Sequence, residues 1–335
     1  MRRTHIIAVG ILAASLFLCG CGAVEGEAVE QGKTEDDAAV QAEDIQDENI
    51  DKNIDENIVE ETQQVEMVES GQEESGEDEE VPPEIEEEVV QTQEPEQLAG
   101  TSFSILGDSI STFQGYIPAG YYDFFPGNGE VNAVEDTWWQ IVAGDLELAL
   151  YVNGSSSGAT VAGDSTGTEN PQCACNEFRT GGLAGSAGAC PDRIIVYLGT
   201  NDLLEAVPLG DNDGTGAVAA GEINTFSDAY TLMLDKLQAN YPSAKIYCCT
   251  LLQIGTYGTQ TPYVEMVNGE QLTSADYGEV ITRIAKNKGL SVIDLYNCGV
   301  TIKNLKEMSS DGVHPTAAGM RMIAAAVEEA LAGEK

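Results

Sequence analysis

The stretch Ile194-Ile195-Val196-Tyr197-Leu198-Gly199-Thr200-Asn201-Asp202 joins an apolar, β-branched run to a loop of glycine and short polar residues. A run that is apolar at every position, and not at alternate ones, predicts a strand covered on both faces. Outward from it the pattern recurs. Thr101 to Leu106 reads as a strand ending at Gly107, Leu148 to Val152 as a second, and Ile246 to Leu252 and Ser291 to Leu295 as two more. Helical spacing separates them. Thr137-Trp138-Trp139-Gln140 reads as a capping box opening a helix to about Gly144. Phe226, Tyr230, Met233, Leu234 and Leu237 precede Pro242, and Tyr277, Val280, Ile281 and Ile284 precede Gly289. Met320, Ile323, Ala324, Val327 and Leu331 mark a last amphipathic helix. This alternation predicts an α/β chain with a parallel sheet between helix layers, whose chemistry collects at the carboxyl ends of the strands.

The 335 residues carry 57 acidic and 15 basic side chains, a net charge of −42. Like charges repel within a Debye length, which argues against nucleic acid and anionic membrane surfaces as partners. The charge is uneven. Residues 22–100 hold 29 Asp or Glu against two Lys, in runs such as Glu84-Ile85-Glu86-Glu87-Glu88 and in low-complexity Asp-Glu-Asn-Ile repeats. Such a segment cannot bury enough apolar surface to offset chain entropy, so 21–100 is expected to be a disordered tether spanning roughly 50 Å or more. It reads either as a spacer or as a solvated tail with no partner. Residues 101–335 are ample for one core and form the expected folded domain.

The chain starts with Arg2 and Arg3 and is then apolar from Ile6 to Leu18, the pattern of an export signal over 1–20. Leu18-Cys19-Gly20-Cys21 resembles the lipobox of bacterial lipoproteins. That resemblance implies a diacylated Cys21 as the mature N-terminus, and an envelope protein whose domain faces the outside of the cytoplasmic membrane. Cys19 fits worse, because bulky Leu18 would occupy the cleavage position. A simple cleaved signal with two incidental cysteines is the alternative.

Four loops carry the chemistry. Gly107-Asp108-Ser109-Ile110-Ser111 follows the first strand and Asn153-Gly154-Ser155-Ser156-Ser157-Gly158 the second. Gly199-Thr200-Asn201-Asp202 follows the third, and Asp311-Gly312-Val313-His314-Pro315 precedes the last helix. Singly, each is good turn chemistry. Together, in this order, they resemble the SGNH (GDSL-type) hydrolase family over about Ser104 to Leu331. The resemblance implies a three-layer α/β/α, flavodoxin-like fold and a serine esterase without a cofactor. It assigns the nucleophile to Ser109, the general base to His314 and the carboxylate that orients it to Asp311. The oxyanion hole falls to the Ser109 amide, Gly158 and Asn201. Gly154, four residues earlier, competes with Gly158, and the Ser-Gly-Ala-Thr context favours the latter.

The residue types suit the chemistry. A serine hydroxyl is a weak nucleophile until a base takes its proton, and imidazole is poised for that near neutral pH. With His5 removed alongside the signal, His314 is the one imidazole left, so a histidine-rich zinc site is excluded. Ser109 is also expected to open a helix and share its N-terminal dipole.

Other features read as structural. Trp138 and Trp139, though able to stack on a sugar, are expected in the core. Cys248 and Cys249 are adjacent in a strand and act as small hydrophobes. Cys173, Cys175 and Cys190 lie in a Gly-rich stretch where a disulfide could involve Cys190; six domain cysteines allow fifteen full pairings. Asp211 to Glu222 matches an EF-hand calcium loop at Asp211, Asp213 and Glu222, with Gly216 at the sixth place and weaker Thr215 at the fifth. Pro208 and Gly210 leave no incoming helix for it, so a polar loop is the competing reading. The expected activity is hydrolysis of short acyl esters, O-acetylated glycans foremost, by a monomer that meets the membrane only through its anchor. A lysophospholipase or thioesterase, and a tethered binding module without activity, are the alternatives.

Overall fold

The computed structural model describes residues 98–333 apart from 168 and 259–261. The expected signal, Cys21 and nearly all of the tether lie outside the described residues. In chain order the elements are β1 (Ser102–Gly107), α1 (Trp138–Asp145), β2 (Ala149–Asn153), β3 (Gly163–Asp164), α2 (Glu177–Thr180), β4 (Arg193–Tyr197) and α3 (Thr200–Leu204). There follow β5 (Glu222–Ile223), α4 (Phe226–Asn240), β6 (Lys245–Cys249), α5 (Ser274–Asn287), β7 (Ser291–Ile293), α6 (Leu305–Met308) and α7 (Ala317–Ala332).

Five strands form one parallel sheet in the order β2-β1-β4-β6-β7. The chain steps outward from β1 to β2 and then reverses, which is the flavodoxin-like order. Right-handed crossovers in opposite directions put their helices on opposite faces. Accordingly α1 packs on α7, and α4 packs on α5. The central strands β1 and β4 are buried at every residue, as continuous apolar runs between two helix layers must be. β2 differs from the expectation: it alternates exposed and half-buried residues, and only Asn153 is buried, because it is an edge strand. β3 and β5 make a separate antiparallel ribbon.

Two helix starts depart from the sequence reading. The Thr137 hydroxyl does not cap α1; it donates to the Val134 carbonyl at 2.7 Å, in a 3-10 turn that precedes the helix. The capping carboxylate is at α5, where Asp276 accepts from both the Thr273 amide at 2.7 Å and its hydroxyl at 2.8 Å. Trp138 and Trp139 are fully buried, as expected of core residues, and Trp138 meets Tyr197 of β4 edge-on, ring centroids 6.5 Å apart.

The core between these layers sets the stability of the platform. Ile195, at the centre of β4, has no exposed surface. Ile195→Ala is expected to lower unfolding free energy by about 2–5 kcal/mol, measured by urea denaturation.

Candidate active site

β1 and β4 pair in register to their ends, Gly107 opposite Tyr197, so the two chains emerge side by side at one edge. Beyond Gly107 the chain turns at once. A Cβ there would lie 2.6 Å from the Ser155 hydroxyl, so only glycine passes. Asp108 caps the turn, its carboxylate accepting the Ile110 amide at 3.1 Å. Residues Ser109–Ser111 form a single 3-10 turn and not the start of an α-helix, so Ser109 has no stacked peptide dipoles behind it. Side chains fix the turn instead. The Ser111 carbonyl accepts Trp139 Nε1 at 2.9 Å and Asn153 Nδ2 at 2.8 Å, while its hydroxyl accepts Trp138 Nε1 at 3.1 Å.

His314 comes to this turn from the other end of the chain. Its Nε2 lies 2.9 Å from Ser109 Oγ, and its Nδ1 lies 2.7 Å from Asp311 Oδ2. The second oxygen of Asp311 accepts the amides of His314 at 2.7 Å and Val313 at 2.9 Å. Burial acts to raise the Asp311 carboxyl, yet the bond and charge of His314, with these two amides, hold it below its ordinary value. A carboxylate fixed to Nδ1 leaves Nε2 as the acceptor for the serine proton. Ser309 braces the turn, its hydroxyl donating to the His314 carbonyl at 3.0 Å and accepting the Gly312 amide at 2.9 Å. Gly312 has φ +90°, and a Cβ on it would come 2.7 Å from the Thr256 carbonyl.

Asn201 reaches the residue that follows Gly158. Asn201 Nδ2 donates one proton to the Ala159 carbonyl at 2.9 Å, and among the described residues its second proton has no acceptor. The neighbouring amides are used: Ser157 donates to Tyr122, Ala159 to Ser156, and Ile110 to Asp108. Among the described residues no acceptor is bonded to the amides of Ser109 or Gly158. Two unused backbone donors and a half-used carboxamide are what an oxyanion needs. Gly154 cannot compete, since its amide donates to the Ile105 carbonyl at 2.8 Å and its own carbonyl accepts Arg179.

Buried charges support the loops from below. The Arg179 guanidinium is 1 % exposed and donates to the carbonyls of Gly107 and Gly154, both at 2.9 Å, and also to that of Pro171. It ties the ends of β1 and β2 together, and its other face covers the Tyr121 ring at 5.3 Å. Burial lowers this guanidinium to about 10, so it stays charged at neutral pH. Asp202 accepts the amides of Val161 at 2.8 Å and Ala162 at 3.1 Å, which anchors the loop carrying Gly158 to α3. Burial pushes the Asp202 carboxyl up to about 7 and that of Asp108 up to about 6, against the amides that each accepts.

Several of these contributors carry no pattern a sequence displays. Asp202 was legible only as loop chemistry, and Arg179 and Phe124, whose ring lies flat on His314, gave no signal. The EF-hand match is corrected. Glu222 is drawn into β5 opposite Asp164, Asp213 is bonded to Thr215, and Asn212 faces Asp228. Asp211, Asp213 and Thr215 line one cavity without Glu222, and among the described residues no group of three His, Cys, Asp or Glu could hold a metal ion. Cys190 contacts the Ser243 hydroxyl rather than a cysteine, while the thiols of Cys173 and Cys175 touch at 3.4 Å in their reduced form. Cys248 and Cys249 are buried in β6.

A family model described as GDSL-like Lipase/Acylhydrolase matches residues 101–331. Solved structures are similar too. A GDSL-like lipase from Bacteroides uniformis is 26 % identical, with a TM-score of 0.52 over 70 % of this chain and 96 % of its own. One from Bacteroides ovatus is 26 % identical, with a TM-score of 0.50 over 68 % of this chain and 96 % of its own. A protein from Lactobacillus plantarum shares the fold at 22 % identity, with a TM-score of 0.52 over 71 % and 99 %. Among curated proteins, none matches.

The buried carboxyls give the site a pH signature. Asp108 holds its proton more tightly folded than unfolded, about 6 against 3.8, so its contribution is full below the unfolded value and is lost as pH rises through 6. Asp311 has the opposite sign and loses its contribution as pH falls below its ordinary value. Asp108→Asn is therefore expected to gain thermal stability relative to wild type as pH rises from about 4 to 7, read as the difference in Tm between the two proteins.

Proposed function

The chain belongs to the GDSL-like lipase/acylhydrolase family and is a hydrolase, and from the geometry of its site we propose that it is a serine esterase working through an acyl-enzyme on Ser109. The observation that carries the reading is the continuous chain Asp311–His314–Ser109, with bonds of 2.7 and 2.9 Å.

In this reading Ser109 Oγ attacks the ester carbonyl while its proton passes to His314 Nε2. The carbonyl oxygen becomes an oxyanion, held by the amides of Ser109 and Gly158 and by Asn201 Nδ2. The intermediate collapses as His314 returns that proton to the leaving alcohol. A water molecule, deprotonated by the same nitrogen, then releases the acid and restores the serine. Asp311 keeps the proton of Nδ1 in place and stabilises the imidazolium formed at each step.

We place short acyl esters first among substrates, O-acetyl groups on glycans foremost. Tyr257 and Tyr122 support this: they are 63 % and 57 % exposed. Tyr257 stands edge-on to His314 at 6.4 Å, and the Tyr122 carbonyl accepts the Ser157 amide next to Gly158. Exposed aromatic faces pack well against sugar rings. The segment before the domain, with a lipid anchor at Cys21 and an acidic tether over 21–100, would hold a monomeric enzyme at the outer side of the cytoplasmic membrane.

Hydrolysis of a short-chain nitrophenyl ester, with modification of Ser109 by a fluorophosphonate, tests the assignment. Ser109→Ala is expected to abolish both. Asp311→Asn should lower kcat by about 10⁴-fold, because an amide favours the wrong tautomer, and Asn201→Ala by about 10²- to 10³-fold. An activity that rises with acyl chain length would overturn the short-chain assignment in favour of a lysophospholipase or thioesterase.

A further inference from the structure

Two hydrogen bonds hold His314, one at each ring nitrogen. The ring is held covalently only through Cγ and hydrogen bonds are compliant, so torsion about the side-chain bonds can still tilt it. Tilting swings the Nε2 lone pair away from the Ser109 hydroxyl while both distances change little. A flat surface against the ring is needed to remove that freedom.

Phe124 supplies it. Its ring lies 3.5 Å from the imidazole centroid at an interplanar angle of 12°. Phe124 is itself fixed from two directions. Phe125 packs edge-on against it at 4.8 Å and is fully buried, and it also meets His314 edge-on at 6.4 Å. The Phe124 amide donates to Thr112 Oγ1 at 2.9 Å, and that buried hydroxyl donates to the Ser109 carbonyl at 2.8 Å. One hydroxyl thus ties the nucleophile and Phe124 together. Gly129 closes in from behind, at φ +68°, where a Cβ would lie 3.3 Å from the Phe124 ring and 3.2 Å from the Ser310 hydroxyl. The segment that carries Phe124 is therefore clamped between the turn of the nucleophile and the turn of the base.

We propose that Phe124 is a positioning residue, which sets the plane of the His314 imidazole and shields one of its faces from water. The role rests on the esterase reading and adds to it a member that acts through the base. It has two parts. The stack keeps Nε2 aimed at Ser109 before reaction. Once Nε2 takes the proton, the imidazolium lies over an aromatic face, an arrangement that favours the cation. An aliphatic side chain of equal bulk fills the space but offers neither a flat contact nor that face.

Phe124 is only partly buried and packs at the margin of the core. Phe124→Ala is expected to lower kcat on a short nitrophenyl ester and the rate of Ser109 phosphonylation together, by about 10- to 100-fold, with KM and Tm little changed. Phe124→Leu should share the defect, and Phe124→Tyr should recover most of the activity. Equal labelling rates in wild type and Phe124→Ala would overturn the proposal. So would full activity in Phe124→Leu, which would leave only a volume effect, or a rise in KM alone, which would make Phe124 a substrate contact. A wild-type protein that neither hydrolyses the ester nor takes the label would instead overturn the esterase reading beneath it.

Discussion

The pairing of β1 with β4 fixes where everything else goes. Gly107 and Tyr197 stand opposite each other at the last rung of the ladder, and both strands are buried along their whole length. Both strands are covered on both faces, and their register is the unbroken ladder from Phe103 opposite Arg193 to Gly107 opposite Tyr197. Ser109 follows two residues after one strand end, and Asn201 follows four residues after the other. A nucleophile and an amide donor thus share one edge because the paired ladder brings both strand ends to the same rung. That edge is also where the strand order reverses, and the crevice that forms there lies outside the ladder.

The loops above this edge are not held by regular structure, and buried polar groups take over the task. Arg179 satisfies the carbonyls at which β1 and β2 end, and Asp202 satisfies two amides of the segment after Gly158. Each is a charge in a dry place, costly unless fully bonded. The same desolvation raises the carboxyls of Asp202 and Asp108. The protein accepts it where backbone groups would otherwise lack partners close to the site.

What could be read from the chain followed the distance over which a residue acts. Ser109, Asn201, Asp311 and His314 stand in short motifs next to strand ends or a helix start, so their placement follows from local pattern. The Asp202 carboxylate works on amides 40 and 41 residues away, and Arg179 on a carbonyl 72 residues away, with no local periodicity to mark either. Local patterns also misled. Thr137 has the spacing of a cap, but the turn before it offers a nearer acceptor at Val134. The loop from Asp211 has the spacing of a calcium ligand set, but pairing with β3 removes Glu222 from it. The half-exposed β2 looked like a buried strand because its residues are apolar, whereas its place at the edge follows from topology alone.

The base and the group that orients it lie three residues apart, in a turn that bonds mainly to itself through Asp311 and Ser309. Such a turn is a cassette: it can take up much of its working shape from short-range contacts. When the chain folds, bringing the three side chains of the triad together then requires the closure of one long loop instead of two. Loop-closure entropy is charged per closure and grows only slowly with length, so the separation of 205 positions from Ser109 to His314 costs little more than a much shorter span would. The interval between them is accordingly free to lengthen, and to acquire new binding surface, without loosening the chemistry.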